Sequence, residues 1–296
     1  MKNILIIGAN GFTGRRILND LSVNPIYHVT GCSLRDDICP GKDYRFVRTD
    51  IRDENEVRKL FKECRPDIVI NTSALSVPDY CETHHAEAEA TNVTAVETIA
   101  HVCEQYGSRF IHLSTDFVFD GKSTRLYKEE DEAIPVNYYG VTKLKAEKII
   151  ASICSNYAIV RVVVVYGKAL PGQHGNILQL VANRLRNGET IRVVSDQWRT
   201  PTFVGDISVG VEKLMFHTAN SIYHICGSEC LTIAEIAYRV ADFLKLDRSL
   251  IEPVTTEEMK EVTPRPRFSG LSIEKAKAEI GYTPRTLEEG MEASLF

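Results

Sequence analysis

Tyr139 and Lys143 stand four residues apart, which puts both side chains on one face of a helix. An ammonium beside a phenol favours the phenolate and predicts a tyrosine pKa below its ordinary value of about 10. A hydroxyl brought alongside, at Thr115, would complete a proton-transfer group. Such a group suits reduction of a carbonyl, in which carbon receives a hydride and oxygen receives the phenolic proton. A Y-x-x-x-K spacing by itself is common on helix surfaces. Its weight comes from the elements that would have to position it.

The first of those elements opens the chain. Ile4-Leu5-Ile6-Ile7 reads as a buried parallel strand, and glycines follow at Gly8, Gly11 and Gly14 before a helical apolar spacing at Ile17, Leu18 and Leu21. This is strand, tight turn, helix. Gly8 permits the sharp turn, Gly11 lets a phosphate approach the backbone, and Gly14 lets the helix pack close to the strand. The helix N-terminus offers free N–H groups to a pyrophosphate. The turn, with Asn10, Phe12 and Thr13 among its glycines, is a candidate dinucleotide site. The spacing is one residue wider at the front than the common G-x-G-x-x-G, and a ligand-free glycine turn is the plain alternative.

The second strand, residues 28–33, should end beside the cofactor's ribose. An acidic residue there would bind a 2′-hydroxyl and repel a 2′-phosphate; the chain has Ser33-Leu34-Arg35. A hydroxyl and a guanidinium favour NADP(H) over NAD(H), which the same site could still admit. Asp36 and Asp37 weigh against that preference. Asp50 and Ile51 follow the third strand, where adenine would lie. Thr72, Ser73 and Ala74 end the fourth with small side chains that let the backbone pass close to the cofactor. Residues 84–106 read as one long helix carrying surface histidines, and 109–113 as a fifth strand ending in Ser114-Thr115-Asp116. Asn137 is a possible cap for the Tyr139 helix. Residues 158–166 read as a sixth strand, and Asp206 as the cap of a later helix.

The alternation of strands and helices implies an α/β protein: a Rossmann-type doubly wound parallel sheet with a smaller C-terminal α+β substrate domain. The expected division is 1–165 with 203–226 for the dinucleotide, and 166–202 with 227–296 for the substrate. Charged residues at 25% and hydrophobic residues at 44% describe an ordinary globular chain. The net charge of −5 argues against a nucleic-acid or acidic-membrane binder. No apolar run reaches membrane-spanning length, and the start of the chain lacks a signal-peptide core. Eight scattered cysteines suit buried free thiols. The expected location is therefore the cytoplasm, and no metal site is expected.

Taken together, the residues resemble the extended short-chain dehydrogenase/reductases, and within them the dTDP-4-dehydrorhamnose reductase family. The matching stretches are Gly8–Gly14, Leu113–Gly121, Pro135–Lys143, Asp196-Gln197 with Pro201-Thr202, and Arg265-Pro266 with Ser269 and Leu271. The resemblance implies a catalytic trio of Thr115, Tyr139 and Lys143. Tyr139 would protonate the C4 oxygen of a nucleotide-linked 4-keto-6-deoxy sugar while NADPH delivers hydride to C4, and Lys143 would also bind the nicotinamide ribose. Thr115, Asp116, Phe117, Gln197, Arg199 and Arg265 would meet the nucleotide-diphosphate sugar, with Lys168 a further cation near the diphosphate. A homodimer is expected by analogy only.

Three positions depart from that pattern. Val164 stands where the reductases tend to carry a tryptophan, Trp198-Arg199-Thr200 replaces a Gly-Ala pair, and Val77-Pro78-Asp79 replaces Ala-Val-Asp. The regulatory beta subunit of methionine adenosyltransferase is similar at several of these positions and carries a comparable Tyr-Lys helix. A sugar-nucleotide epimerase and a dinucleotide-binding regulatory subunit therefore remain open beside the reductase.

Overall fold

The computed structural model describes residues 1–41, 43–173 and 175–295. Among them a seven-stranded parallel sheet forms the centre. Its strands are β1 (Lys2–Ile7), β2 (Tyr27–Ser33), β3 (Arg45–Arg48), β4 (Ile68–Asn71), β5 (Arg109–Thr115), β6 (Tyr157–Val162) and β7 (Ser221–His224). They lie in the order β7-β6-β5-β4-β1-β2-β3. Strand order reverses between β1 and β4, so a crevice opens at their C-terminal ends.

The apolar run of β1 is buried on both faces. Ile4 and Ile6 pack with Ile17, Leu18 and Leu21 of α1 (Phe12–Ser22) on one side. Leu5 and Ile7 join Val57, Leu60 and Phe61 of α2 (Glu54–Cys64) on the other, along with Val96 and Ile99 of α3 (Ala95–Tyr106). Strand period two sends alternate residues to opposite helix layers, which is why a continuous apolar run was needed. Helix α4 (Tyr138–Ile153) completes the second layer through Ala146 and Ile150.

A separate apolar cluster gathers later residues. Helix α5 (Ile177–Arg186) gives Leu178, Val181 and Leu185; α6 (Val204–Phe216) gives Val204; and α7 (Ile233–Leu244) gives Ala237 and Val240. Short two-stranded pairings edge this cluster: Ile191–Val194 with Ile251–Val254, and Trp198–Arg199 with Leu231–Thr232. Helix α6 returns to the central sheet, where Ile207, Val211 and Leu214 pack beneath it.

Three expectations need correction. The stretch 158–166 is not one strand. β6 stops at Val162, Val164 turns to φ +37°, and Val165–Tyr166 pairs instead with Thr202–Phe203. Period and apolarity are continuous across this break, so only the pairing partner reveals it. The 84–106 stretch is helical but interrupted by a π-turn over Ala90–Thr94. Asp206 is not a cap: it lies inside α6, buried, accepting from the backbone N–H of Arg285 and pairing with that guanidinium.

Candidate active site

Helix α4 starts where a capping residue and a close approach allow it. The Asn137 side chain accepts from the Gly140 N–H at 2.9 Å, and its own amide donates to the Pro264 carbonyl at 2.9 Å. A Cβ at Gly140 would collide with the Phe117 carbonyl, so glycine lets the helix rest directly on the turn that follows β5. That contact brings Tyr139 to the C-terminal end of β5, beside Thr115 and Phe117. The Tyr139 ring packs edge-on to Phe117, with centroids 6.0 Å apart.

The phenol does not behave as the Tyr–Lys spacing predicts. Burial drives its pKa up, Thr115 opposes the rise, and the Asp116 charge adds to it. Lys143 lies deeper, 2% exposed. Its Nζ donates to the Leu113 carbonyl at 2.7 Å and meets His112 Nε2 at 2.9 Å. Burial lowers its pKa to about 8, while Glu147 pulls the other way. The lysine head is held by two groups of β5, which helical spacing alone could not reveal.

Asp116 is also enclosed. It accepts from Thr115 Oγ1 at 3.1 Å, hydrogen bonds Ser269 Oγ, and faces Arg199 Nε at 3.6 Å. Desolvation raises its pKa and Arg199 opposes this. Arg199 is 2% exposed; its other donors reach the Trp198 carbonyl at 2.8 Å and Gln197 Oε1 at 3.1 Å. Gln197 is buried and donates to Glu261 at 2.8 Å. Arg265, half-buried, pairs with Glu261 at 2.9 Å and Asp79 at 3.8 Å. Of the residues assigned to the sugar nucleotide, Gln197 and Arg199 thus face into a buried network behind Asp116, while Arg265 stays near the surface. Lys168 is exposed.

The glycine turn forms a cradle. Gly8 has φ +82°, and a Cβ there would lie 2.8 Å from Ser73 N and from Thr72 Oγ1. A Cβ at Gly14 would collide with the Gly8 carbonyl, and the α1 N-cap, Gly11, supplies no side-chain cap to the helix N–H groups. Open N–H groups beside a bare backbone suit a diphosphate, so the residues fit a dinucleotide. Thr72 Oγ1 donates to the Ile7 carbonyl at 2.8 Å, tying the end of β4 to the turn. The Asn10 side chain holds the loop after β2: it donates to the Asp36 carbonyl at 2.8 Å and accepts from Arg15 at 2.9 Å. Asp37 pairs with buried Arg15 and accepts from Tyr44 at 2.8 Å, so this carboxylate is already neutralised. Arg35 is exposed, and among the described residues it makes no ion pair. Asp50 pairs with Arg52 at 2.6 Å, and Ile51 stays half-buried.

Several residues here escaped sequence reasoning. Asn92, on the π-turn, accepts from the Leu75 N–H at 2.7 Å and donates to Thr142 Oγ1 at 3.0 Å, clamping the loop after β4 onto the catalytic helix. Gln173 donates to the Asn10 and Gly11 carbonyls at 3.0 and 3.1 Å. Asn71 and His112 lie behind Lys143. The only available signal was a polar residue within an apolar strand.

A glycine-turn dinucleotide cradle beside a Thr–Tyr–Lys group at the C-terminal edge of a parallel sheet defines the extended short-chain dehydrogenase/reductase type of NAD(P)-dependent oxidoreductase. Residues 1–295 match the family model described as RmlD substrate binding domain, and the chain belongs to that family. It is 30% identical over 291 residues to a probable low-salt glycan biosynthesis reductase of Haloferax volcanii, covering 97% of this chain and 95% of that protein. It is 31% identical over 290 residues to methionine adenosyltransferase 2 subunit beta of Xenopus laevis, covering 96% and 84%. The crystal structure of dTDP-4-dehydrorhamnose reductase from Bacillus anthracis in complex with NADP superposes with a TM-score of 0.87 at 26% identity, covering 100% of this chain and 99% of that one.

Proposed function

We propose that the protein uses NADPH to reduce the C4 ketone of a nucleotide-linked 4-keto-6-deoxy sugar, with Tyr139 as proton donor. The observation that carries this reading is the seating of α4 on the turn after β5 through Gly140, with Tyr139 against Phe117 next to Thr115 at the C-terminal edge of the sheet that also carries the glycine turn. The similarity to the B. anthracis reductase supports both the substrate class and the choice of NADP.

The Gly8–Gly14 turn and the start of α1 would hold the diphosphate, Ser33 and Arg35 the 2′-phosphate, Asp50 and Ile51 the adenine, and Thr72, Ser73 and Ala74 the opposite wall. Tyr139 and Lys143 would meet the nicotinamide ribose. When bound, NADPH supplies the hydride. Because burial raises its pKa, Tyr139 enters the reaction carrying its proton, as a donor for reduction must. The Thr115 hydroxyl steadies the phenolate left behind. Asp116 orients Thr115, and Arg199 with Ser269 balances the Asp116 charge. Phe117 walls the site beside the tyrosine ring, and Arg265 is the guanidinium placed to reach a sugar diphosphate. Within this reading, residues 1–165 with 203–226 bind the dinucleotide, and 166–202 with 227–296 bind the sugar nucleotide.

The test is loss of NADPH absorbance with dTDP-4-keto-L-rhamnose. The expected result is turnover that falls by about 10²- to 10⁴-fold in Tyr139→Phe while NADPH affinity holds. Turnover unchanged by the substitution would remove Tyr139 from the chemistry. A second reading, a dinucleotide-binding partner subunit, is favoured by the similarity to subunit beta and by an aliphatic Val164 at the sugar side. NADPH binding without turnover of any 4-keto sugar nucleotide would support it.

A further inference from the structure

Behind the site runs a buried chain of hydrogen bonds from Ser73 through Asn71 and His112 to Lys143, and its polarity can be read atom by atom. The Ser73 backbone N–H can only donate, and it reaches Asn71 Oδ1 at 3.0 Å; Ser73 Oγ donates to the same oxygen at 2.6 Å. The amide orientation of Asn71 is thereby fixed, and its Nδ2 faces His112 Nδ1 at 3.1 Å. An amide nitrogen donates, so Nδ1 accepts. A neutral imidazole has one donor and one acceptor, so Nε2 carries the proton. Nε2 lies 2.9 Å from Lys143 Nζ. An ammonium has three donors and no acceptor, and would face this N–H proton to proton. A neutral amine has a lone pair to receive it and still donates to the Leu113 carbonyl at 2.7 Å.

The surroundings agree. Asn71 and His112 are 0% exposed, and burial holds the imidazole well below its ordinary pKa, neutral. Glu147, one helical turn along α4, is the nearest carboxylate facing Lys143. It is occupied by Arg161 of β6, at 2.7 and 3.0 Å, and by Ser114 of β5, at 2.5 Å. From α4 itself Tyr139 faces the cleft as a neutral phenol, and Asp116 after β5 is balanced by Arg199. No free negative charge among the described residues holds an ammonium in this position.

We propose that His112, locked in its Nε2–H tautomer by Asn71, is a positioning residue that parks Lys143 as a neutral amine in the cofactor-free protein at alkaline pH, and that Lys143 there takes up a proton when ribose hydroxyls replace His112 as its partner. The second half rests on the nicotinamide-cofactor reading above; the first half does not. Lys143 then enters the bound complex as a cation delivered by binding rather than one stored in the fold.

Two measurements test this. In cofactor-free protein with ¹⁵N-labelled histidine at about pH 9, where an amine with pKa near 8 is unprotonated, long-range ¹H–¹⁵N correlation reads the His112 tautomer. The expected form is Nε2–H; Nδ1–H overturns the proposal. Asn71→Asp is expected to reverse it, because a carboxylate accepts from Nδ1–H and leaves Nε2 free to accept from an ammonium. Calorimetric titration with NADPH at the same pH, in buffers of different ionisation enthalpy, counts protons. The wild type should take up about one proton per NADPH, and both Asn71→Asp and Lys143→Met close to none. Negligible uptake in the wild type, or equal uptake in all three, overturns the proposal. Should Asn71→Asp fail to fold, the wild-type tautomer and Lys143→Met still decide. The tautomer is read without cofactor or substrate, so failure of the reductase reading leaves it standing, and turnover by an Nδ1–H protein would sink this proposal alone.

Discussion

At the scale of single residues, the site separates charges that the sequence places together. Tyr139 and Lys143 share a helix face, yet the phenol ring packs against Phe117 while the lysine reaches His112 and the Leu113 carbonyl. Burial holds the phenol pKa above its ordinary value, which suits the proton-donor role proposed for it. At the other end of the cleft, the proposed preference for NADPH rests on Arg35. Asp37, the carboxylate that argued against a 2′-phosphate, is spent on Arg15 and Tyr44, so it adds little repulsion. Arg35→Ala should weaken NADPH by about 10- to 100-fold, the range for a lost charge-assisted contact, and NADH by much less. Equal losses in a fluorescence titration would mean that Arg35 does not read the phosphate.

At the scale of elements, function depends on how closely α4 lies on the end of β5. Gly140 sets that distance, because any Cβ there meets the Phe117 carbonyl. Gly140→Ala should lift the helix start, misplace Tyr139 by a fraction of its contact distance, and lower turnover by about 10²-fold. Stability should fall by only about 1–3 kcal/mol, the ordinary cost of overpacking. Comparing kcat with the unfolding midpoint separates the two effects. A loss of activity no greater than the loss of folded protein would mean that helix position is not critical. Val164 is the other local constraint. A β-branched residue at φ +37° is strained, and it sits where the chain leaves β6 and crosses to Thr202, whose N–H donates to its carbonyl at 3.2 Å. The strain marks the point where the central sheet gives way to the smaller cluster.

At the scale of the whole molecule, buried neutral histidines set the acid limit of stability. His224, 0% exposed, is held at about 3 by burial and by Arg161, and His112 is also held well below its ordinary value. Unfolding frees both to titrate near 6.5, so the unfolded chain binds more protons at acid pH. Stability from His224 is complete above about pH 6.5 and falls as pH drops towards 3, by about 1.4 kcal/mol per pH unit, and His112 adds a loss of the same sign below about pH 6.5. Urea unfolding between about pH 6.5 and 4 should show this slope, and His224→Asn should lower it by about 1.4 kcal/mol per pH unit. An unchanged slope would assign the acid sensitivity to other groups.

Sequence alone determined the features written in local pattern. The apolar run at Ile4–Ile7, the three glycines, the Asn137 cap and the helical Tyr139–Lys143 spacing each require one backbone conformation, whatever packs around them. They sufficed for the doubly wound sheet, the glycine turn and the helix that carries Tyr139. Tertiary structure decided what depends on partners distant in the chain. Residues 158–166 read as one apolar stretch with Arg161 embedded in it, and only the competition between β5 and Thr202–Phe203 for hydrogen bonds splits them. Arg199 reads from the sequence as a cation for the sugar nucleotide, and only the fold shows its guanidinium enclosed by Asp116 and Gln197. The charge of Lys143 is set by a histidine 31 positions earlier and an asparagine on a different strand, because protonation answers to burial and hydrogen-bond polarity in space, which no spacing along the chain encodes.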